Sequence, residues 1–326
     1  MKLIKFFGYF GLLSIALTLL GYTAYDWFNR SLIVFILILV LGIFLIYVVF
    51  TMYKDNVNSE SWELKKIDWY DFLFAYFAAI FTYNLTMYDQ VSSVLSSALV
   101  GLVGGTIFKN HDKAIFAGSF LGMATGTVFG AWGFVLASLV MAFVFVFTKP
   151  LYKGVGGKLG TIAFSGAIMA FLLTDITPSV GYTFSIIEGL YLVIASVVGA
   201  VLTRVISNLK DVSIVQASSV VGLIFVVFFD YETFSLSPYI ALCGFGASFV
   251  GMTNKDQMKN GLIVGLGGLL FGIIFYLESN LFGGFGGKLG TTAFISSLVV
   301  IGITRVMQSF SKKEFKFRYL KDDERS

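Results

Sequence analysis

The string GVGGKLGTIAF at Gly154 to Phe164 returns as GFGGKLGTTAF at Gly284 to Phe294. The paired glycines Gly156 and Gly286 stand 130 positions apart, far more than the repeats that stack into solenoids or propellers. A period of that length implies a duplicated half-protein. The match continues upstream: Val91, Ser92, Val94, Ser97, Val100, Gly101 and Leu102 pair with Val212, Ser213, Val215, Ser218, Val221, Gly222 and Leu223 at a constant offset of 121. Ser119, Phe120, Gly122 and Met123 pair with Ser248, Phe249, Gly251 and Met252 at an offset of 129, the longer link Asp230 to Pro238 absorbing most of the difference.

The residues around this duplication suit a bilayer. Hydrophobic residues make up 57% of the chain and charged residues 13%, with a mean hydropathy of +0.86, whereas about a quarter of a soluble domain is charged. At about 20 apolar residues per crossing, the sequence offers twelve candidate spans, some short or re-entrant: 6–25, 31–52, 70–88, 90–108, 114–130, 132–148, 158–175, 183–206, 212–229, 239–252, 261–278 and 291–309. The first has the length of a signal sequence, but no small-residue cleavage site follows and a second full span does, so it reads as a retained helix.

Lys and Arg near short links mark the cytoplasmic side. Alternate links are basic: Lys2 and Lys5; Lys54, Lys65 and Lys66; Lys109 and Lys113; Lys149 and Lys153; Arg204 and Lys210; Lys255 and Lys259; then Arg305 with Lys312, Lys313 and Lys316. The links between them carry Asp89, Asp175, Glu188, Asp230, Glu232 and Glu278, with Arg30 and Lys288 as their positive charges. The expectation is a multi-pass protein of the cell membrane with both termini cytoplasmic.

Each duplicated unit holds five spans, 67–175 and 188–305. Five is odd, so consecutive copies enter the membrane from opposite sides. The charges agree: Asp175 ends the first unit where Arg305, its counterpart, ends the second. The predicted fold is therefore an all-α membrane protein. Two leading helices occupy 1–53, a cytoplasmic link 54–66, the two units form a 5+5 inverted-topology repeat, and a charged cytoplasmic tail fills 306–326. At the level of architecture this count resembles the urea and ammonium channels and the sodium-coupled amino-acid symporters, and the resemblance implies transport without implying a cargo.

Composition also excludes chemistry. A single cysteine, Cys243, and a single histidine, His111, argue against disulfides, metal centres, iron–sulfur clusters and haem. His111, in the polar link KNHDK, reads as a solvated loop residue. With no nucleophile–base pair or ligand spacing, an enzyme is not expected, nor any cofactor or metal. Nothing points to nucleic acid. The partners expected are the lipid bilayer and a small solute or ion, and the greasy leading helices allow a homo-oligomer.

The motif GxGGKLGT opens an apolar helix with free backbone N–H groups, a positive helix end, a lysine and a threonine, an arrangement that favours anions. It is not a P-loop, because Leu159 and Leu289 follow the lysines. The competing reading is a tight turn with a lysine marking the inside face, which Lys288 opposes by standing where positive charge is otherwise avoided. The candidate substrate-binding residues are Gly156, Gly157, Lys158, Thr161, Gly286, Gly287, Lys288 and Thr291. Ser119, Thr125, Ser248 and Asn254 join them from GSFLGMATGT (118–127) and GASFVGMTN (246–254), segments that read equally as packing seams. Thr161 to Asp175 holds fifteen residues, so a crossing there needs the glycine segment to dip into the membrane. Asp71 and Glu188 read as interfacial and Asn84 and Gln216 as neutral helix contacts, so no intramembrane carboxylate separates a channel from a coupled transporter. The function expected is a transporter or channel for a small solute or ion, with an anion favoured. A membrane scaffold or regulator is the alternative, ahead of a membrane-embedded enzyme.

Overall fold

A computed structural model describes residues 2–58, 66–87, 91–179, 181–229 and 234–323, the side chains of Thr127 and of 310–323 excepted. Lys65, Asp89, Asp230 and Glu232 of the charge pattern lie outside the described residues, as do the side chains of Lys312, Lys313 and Lys316. The described chain forms twelve helices: α1 (Lys2–Phe28), α2 (Leu32–Asn56), α3 (Lys66–Thr86), α4 (Ser93–Ile107), α5 (Asp112–Gly122), α6 (Gly126–Thr148), α7 (Lys158–Leu173), α8 (Ile186–Ile206), α9 (Ile214–Phe229), α10 (Ser237–Gly251), α11 (Gly261–Leu277) and α12 (Lys288–Asp323). The one sheet-like pairing among the described residues is an isolated bridge between Ser179 and Gly283.

Five helices are long and apolar enough to cross a membrane: α1, α2, α6, α8 and the first 22 residues of α12. α3 runs 21 residues but is less apolar, and the other expected spans are shorter. α4, α7, α9, α10 and α11 run 15 to 17 residues, and α5 runs 11. The shortening has a local cause. The Thr125 amide donates to Gly284 O at 2.9 Å and the Asn254 amide to Gly154 O at 2.8 Å, which draws the backbone after Gly122 and Gly251 out of the helix and into the opposite motif. The break between α5 and α6 therefore falls at 123–125, not at the 130–132 of the sequence reading. Gly130 remains as a kink inside α6, at φ 59° and ψ 173°.

The two motif helices cross at the centre. A Cβ on Gly160 would stand 2.3 Å from Gly290 Cα, and one on Gly290 would stand 2.3 Å from Gly160 Cα. On one side Gly157 packs against Ala293 and Phe294; on the other Gly287 packs against Ala163 and Phe164. α7 and α12 are thus antiparallel where they meet. The same reciprocity recurs between α4 and α9, where Gly101 meets Ser219 and Gly222 meets Ala98. Within each half, Gly122 lies on Ala79 and Thr82 of α3, and Gly251 lies on Ala200 and Thr203 of α8. These contacts are small-residue seams that let helix backbones approach closely.

Polar contacts gather at two ends. At one, Lys5 donates to Asn56 O at 3.2 Å, and Arg305 reaches Asp55 at 3.4 Å and Gln257 at 3.3 Å. At the other, Trp27 Nε1 donates to Leu277 O at 2.9 Å and Asn280 donates to Asp26 at 3.2 Å. α1 spans both, since the Tyr152 hydroxyl donates to Tyr9 O at 2.8 Å and the rings of Tyr22 and Phe282 stand 5.1 Å apart. The outer face of α2 exposes Ile33, Leu37, Val40, Ile43 and Tyr47.

Two expectations change here. His111 is not a solvated loop residue: its Nδ1 lies 2.6 Å from Asp71 Oδ1, and its ring stacks on Phe74 at 4.5 Å. Asp71 is 2% exposed and also accepts from Lys149, which reaches Asp68 at 2.7 Å. A buried carboxylate demands such partners, and the KNHDK spacing alone does not reveal a contact to α3. Glu188 closes a capping box with Ser185 at the start of α8. The Asn84 side chain donates to Ile80 O of its own helix at 2.8 Å.

Candidate functional site

Tight turns set the motifs. Tyr152 and Phe282 hold φ of 47° and 48°, Gly154 and Gly284 of 75° and 79°, and Gly157 and Gly287 of 79° and 86°. The glycines suit that left-handed backbone, which β-carbons resist. Both turns deliver the chain to a helix start with a lysine as its first residue. Each lysine curls back to cap the preceding helix. Lys158 Nζ donates to Lys149 O at 2.9 Å and Leu151 O at 2.6 Å, and Lys288 Nζ to Glu278 O at 2.7 Å and Leu281 O at 2.6 Å. Cations belong at helix C-termini, which explains why Lys288 persists on a face otherwise poor in positive charge. Two of three ammonium N–H groups are thereby used, leaving one for the space in front.

That space is a pair of cavities. One, of about 390 Å³, is lined by Gly154, Gly156, Gly157, Lys158, Met252 and Asn254, with Lys113, Lys149 and Lys153 at its rim. The other, of about 270 Å³, is lined by Met123, Thr125, Gly284, Gly287, Lys288 and Gly290, with Tyr182 and Tyr239. Four pairs of lining residues are counterparts: Thr125 and Asn254, Met123 and Met252, Gly284 and Gly154, Lys288 and Lys158. Phe120 and Phe249 line both cavities. Their ring centroids stand 4.3 Å apart, and both are at most 2% exposed. No residue of α1 or α2 lines either cavity.

The remaining candidates, Gly286, Thr161, Thr291, Ser119 and Ser248, lie behind these walls. Gly156 and Gly286 are close-approach positions, where a Cβ would stand 2.2 Å from Phe249 O and Leu121 O respectively. Thr161 and Thr291 are wholly buried and bond their own helix starts, Gly157 O and Gly287 O, each at 3.3 Å. Ser119 shares a hydrogen bond with Ser97 at 2.9 Å, and Ser248 with Ser218 at 2.6 Å. The serine pairs pin neighbouring helices, and none of these four residues lines either cavity. Of the twelve candidates, the structure brings Gly156, Gly157, Lys158 and Asn254 to one cavity and Gly287, Lys288 and Thr125 to the other.

The cavities differ in charge. The larger is ringed by four lysines. Burial alone would lower Lys149, yet its bonds to Asp68 and Asp71 more than offset this and raise it, so it stays a cation at neutral pH. The smaller has Lys288, and behind it Glu278, which is wholly buried. Glu278 Oε1 accepts from the Thr292 hydroxyl, while Oε2 has no hydrogen-bond partner among the described residues. The sequence reading placed Glu278 among link acids and missed it as a buried group. The signal was in the motif: the two copies differ at Val155/Phe285 and Ile162/Thr292, and Thr292 is the residue that holds the carboxylate. Phe120 and Phe249 were legible as matched residues but not as a shared wall.

Among the described residues no cluster of histidine, cysteine and acidic side chains could hold a metal ion. No protein-family model, curated protein or solved structure matches the chain.

Proposed function

We propose that the chain is a multi-pass membrane transporter or channel that moves a small anion between the two cavities. Its two five-helix units then form an inverted-topology repeat, and the basic end with both termini faces the cytoplasm. One observation carries this reading: two cavities that draw on counterpart residues of a duplicated motif share Phe120 and Phe249 in their walls. Antiparallel crossing of α7 and α12 supports the inversion, as does the sorting of basic contacts to one end. At 1.5 Å per residue, α7 is about 24 Å long, short of a hydrocarbon core of about 30 Å. Its lysine-bearing start then lies within the membrane, where an anion offsets part of the cost of a cation.

The test is anion flux in proteoliposomes across a panel of halides, nitrate, phosphate and a neutral solute. Lys158→Ala and Lys288→Ala should each reduce anion flux about tenfold or more, the worth of one charge-assisted hydrogen bond, in protein that remains monodisperse. Unchanged flux in both variants would remove the anion reading.

A scaffold is favoured by one observation, an apolar groove of about 660 Å³ between α3 and α4, lined by Phe77, Phe81, Leu99, Val103 and Phe108. It lies on the flank and not between the halves.

A further inference from the structure

Besides the lysines that ring the larger cavity, the halves differ at one buried corner. Glu278 and Thr292 have Thr148 and Ile162 as their counterparts 130 positions earlier. Thr148 is satisfied by Val144 O at 2.6 Å, whereas Glu278 Oε2, wholly enclosed, has no hydrogen-bond partner among the described residues. Its own backbone oxygen accepts from the Lys288 ammonium that faces the smaller cavity. A buried carboxylate with an unused oxygen, placed beside a cation that fronts a cavity, is poised to change its proton content when the cavity's charge changes.

We infer that Glu278 is a proton-binding site coupled to anion occupancy at Lys288, so that the smaller cavity takes up an anion and a proton together. This deepens the transport reading and rests on it. Empty, the corner holds the Lys288 cation and the Glu278 carboxylate, whose charges cancel. An arriving anion adds one negative charge in a poorly solvated space, and one proton from the solution outside converts the carboxylate to the acid and restores neutrality. The anion's departure releases that proton. In linkage terms, anion and proton favour each other's binding by the same factor.

The surrounding ionisable groups leave the task to Glu278. From α1, Asp26 pairs with Arg30 at 3.0 Å and accepts from Asn280. From α8, Glu188 is held by Ser185. Asp175 lies on the exposed segment leading to Ser179, Tyr276 is on the same helix, and Tyr182 and Tyr239 face the cavity from across it. Beside the larger cavity the buried carboxylate is Asp71, and both of its oxygens have partners, His111 and Lys149.

The experiment adds chloride, nitrate, fluoride or phosphate to the purified full chain in weakly buffered detergent solution and records proton uptake with a pH dye. Binding is read in parallel from thermal protection. The wild type should take up about one proton for each anion bound. Glu278→Gln should lower that ratio about tenfold while keeping the fold, and Thr292→Val, which leaves the carboxyl in place, should retain it. Absence of uptake with every anion, or equal uptake in Glu278→Gln, would overturn the inference. Flux in vesicles separates the two readings. Uptake that depends on Glu278 without any anion flux contradicts transport alone; flux with uptake indifferent to Glu278 contradicts the coupling alone.

Discussion

Gly290→Ala should destabilise the protein by about 3 kcal/mol or more, at the upper end of what overpacking costs. The added methyl would stand 2.3 Å from Gly160 Cα and 2.9 Å from Gly160 N, and both are backbone atoms fixed by α7. No side chain at the crossing can rotate away. Relief needs α7 and α12 to separate, which also pulls Gly157 from Phe294 and Gly287 from Phe164. Gly160→Ala meets Gly290 in the same way, at 2.3 Å from its Cα, and should cost a similar amount. Thermal unfolding of the full chain in detergent reads this directly, as a Tm several degrees lower or as loss of monodisperse protein. By contrast Gly11→Ala, where nothing lies within 4 Å, should leave Tm unchanged or slightly raised, since alanine favours helix. A Gly290→Ala protein as stable as the wild type would mean that the two motif helices do not cross as described.

The second large effect belongs to the shared wall. Phe249→Ala removes a ring that contacts Phe120 at 4.3 Å, Phe245 at 4.9 Å and Phe116 at 6.0 Å. The fold should lose about 3 kcal/mol from the emptied core, and the two cavities should join. On the proposed function this raises anion leak through the protein about tenfold or more, because an apolar constriction that excludes water has been opened. Flux in proteoliposomes at a temperature where the variant stays folded is the readout. The wall earns this role through its anchors: Ser119 bonds Ser97 and Ser248 bonds Ser218 immediately before each ring, fixing α5 on α4 and α10 on α9. A folded Phe249→Ala protein with wild-type leak would show that the wall does not separate the two ends.

Much of this was legible in the chain because duplication is a sequence property. The motif copies, their glycines and the matched SFxGM segments all meet in space, and Thr125 and Asn254 do sit where the helix unwinds. The helix lengths were not legible. Hydropathy sees an apolar run from 114 to 130, but α5 ends at Gly122 because a backbone carbonyl 159 positions away, at Gly284, takes the Thr125 amide. Periodicity holds no record of such a long-range bond. For the same reason the hydroxyls of Thr161 and Thr291 looked available from spacing, while the packed crossing turns them inward to their own helix. Glu278 was hidden by its position at a helix end, where an acid ordinarily faces water. Only the Lys288 and Thr292 contacts from α12 show it enclosed.

The central claim is that the two cavities open to opposite sides of one membrane, and side-specific thiol labelling tests it most directly. Cys243 is wholly buried, so a membrane-impermeant maleimide should report only on an introduced cysteine. Asn254→Cys, in the lysine-ringed cavity, should react in vesicles only from the cytoplasmic face, and Thr125→Cys, its counterpart, only from the opposite face. Labelling of both from the same side would contradict the account.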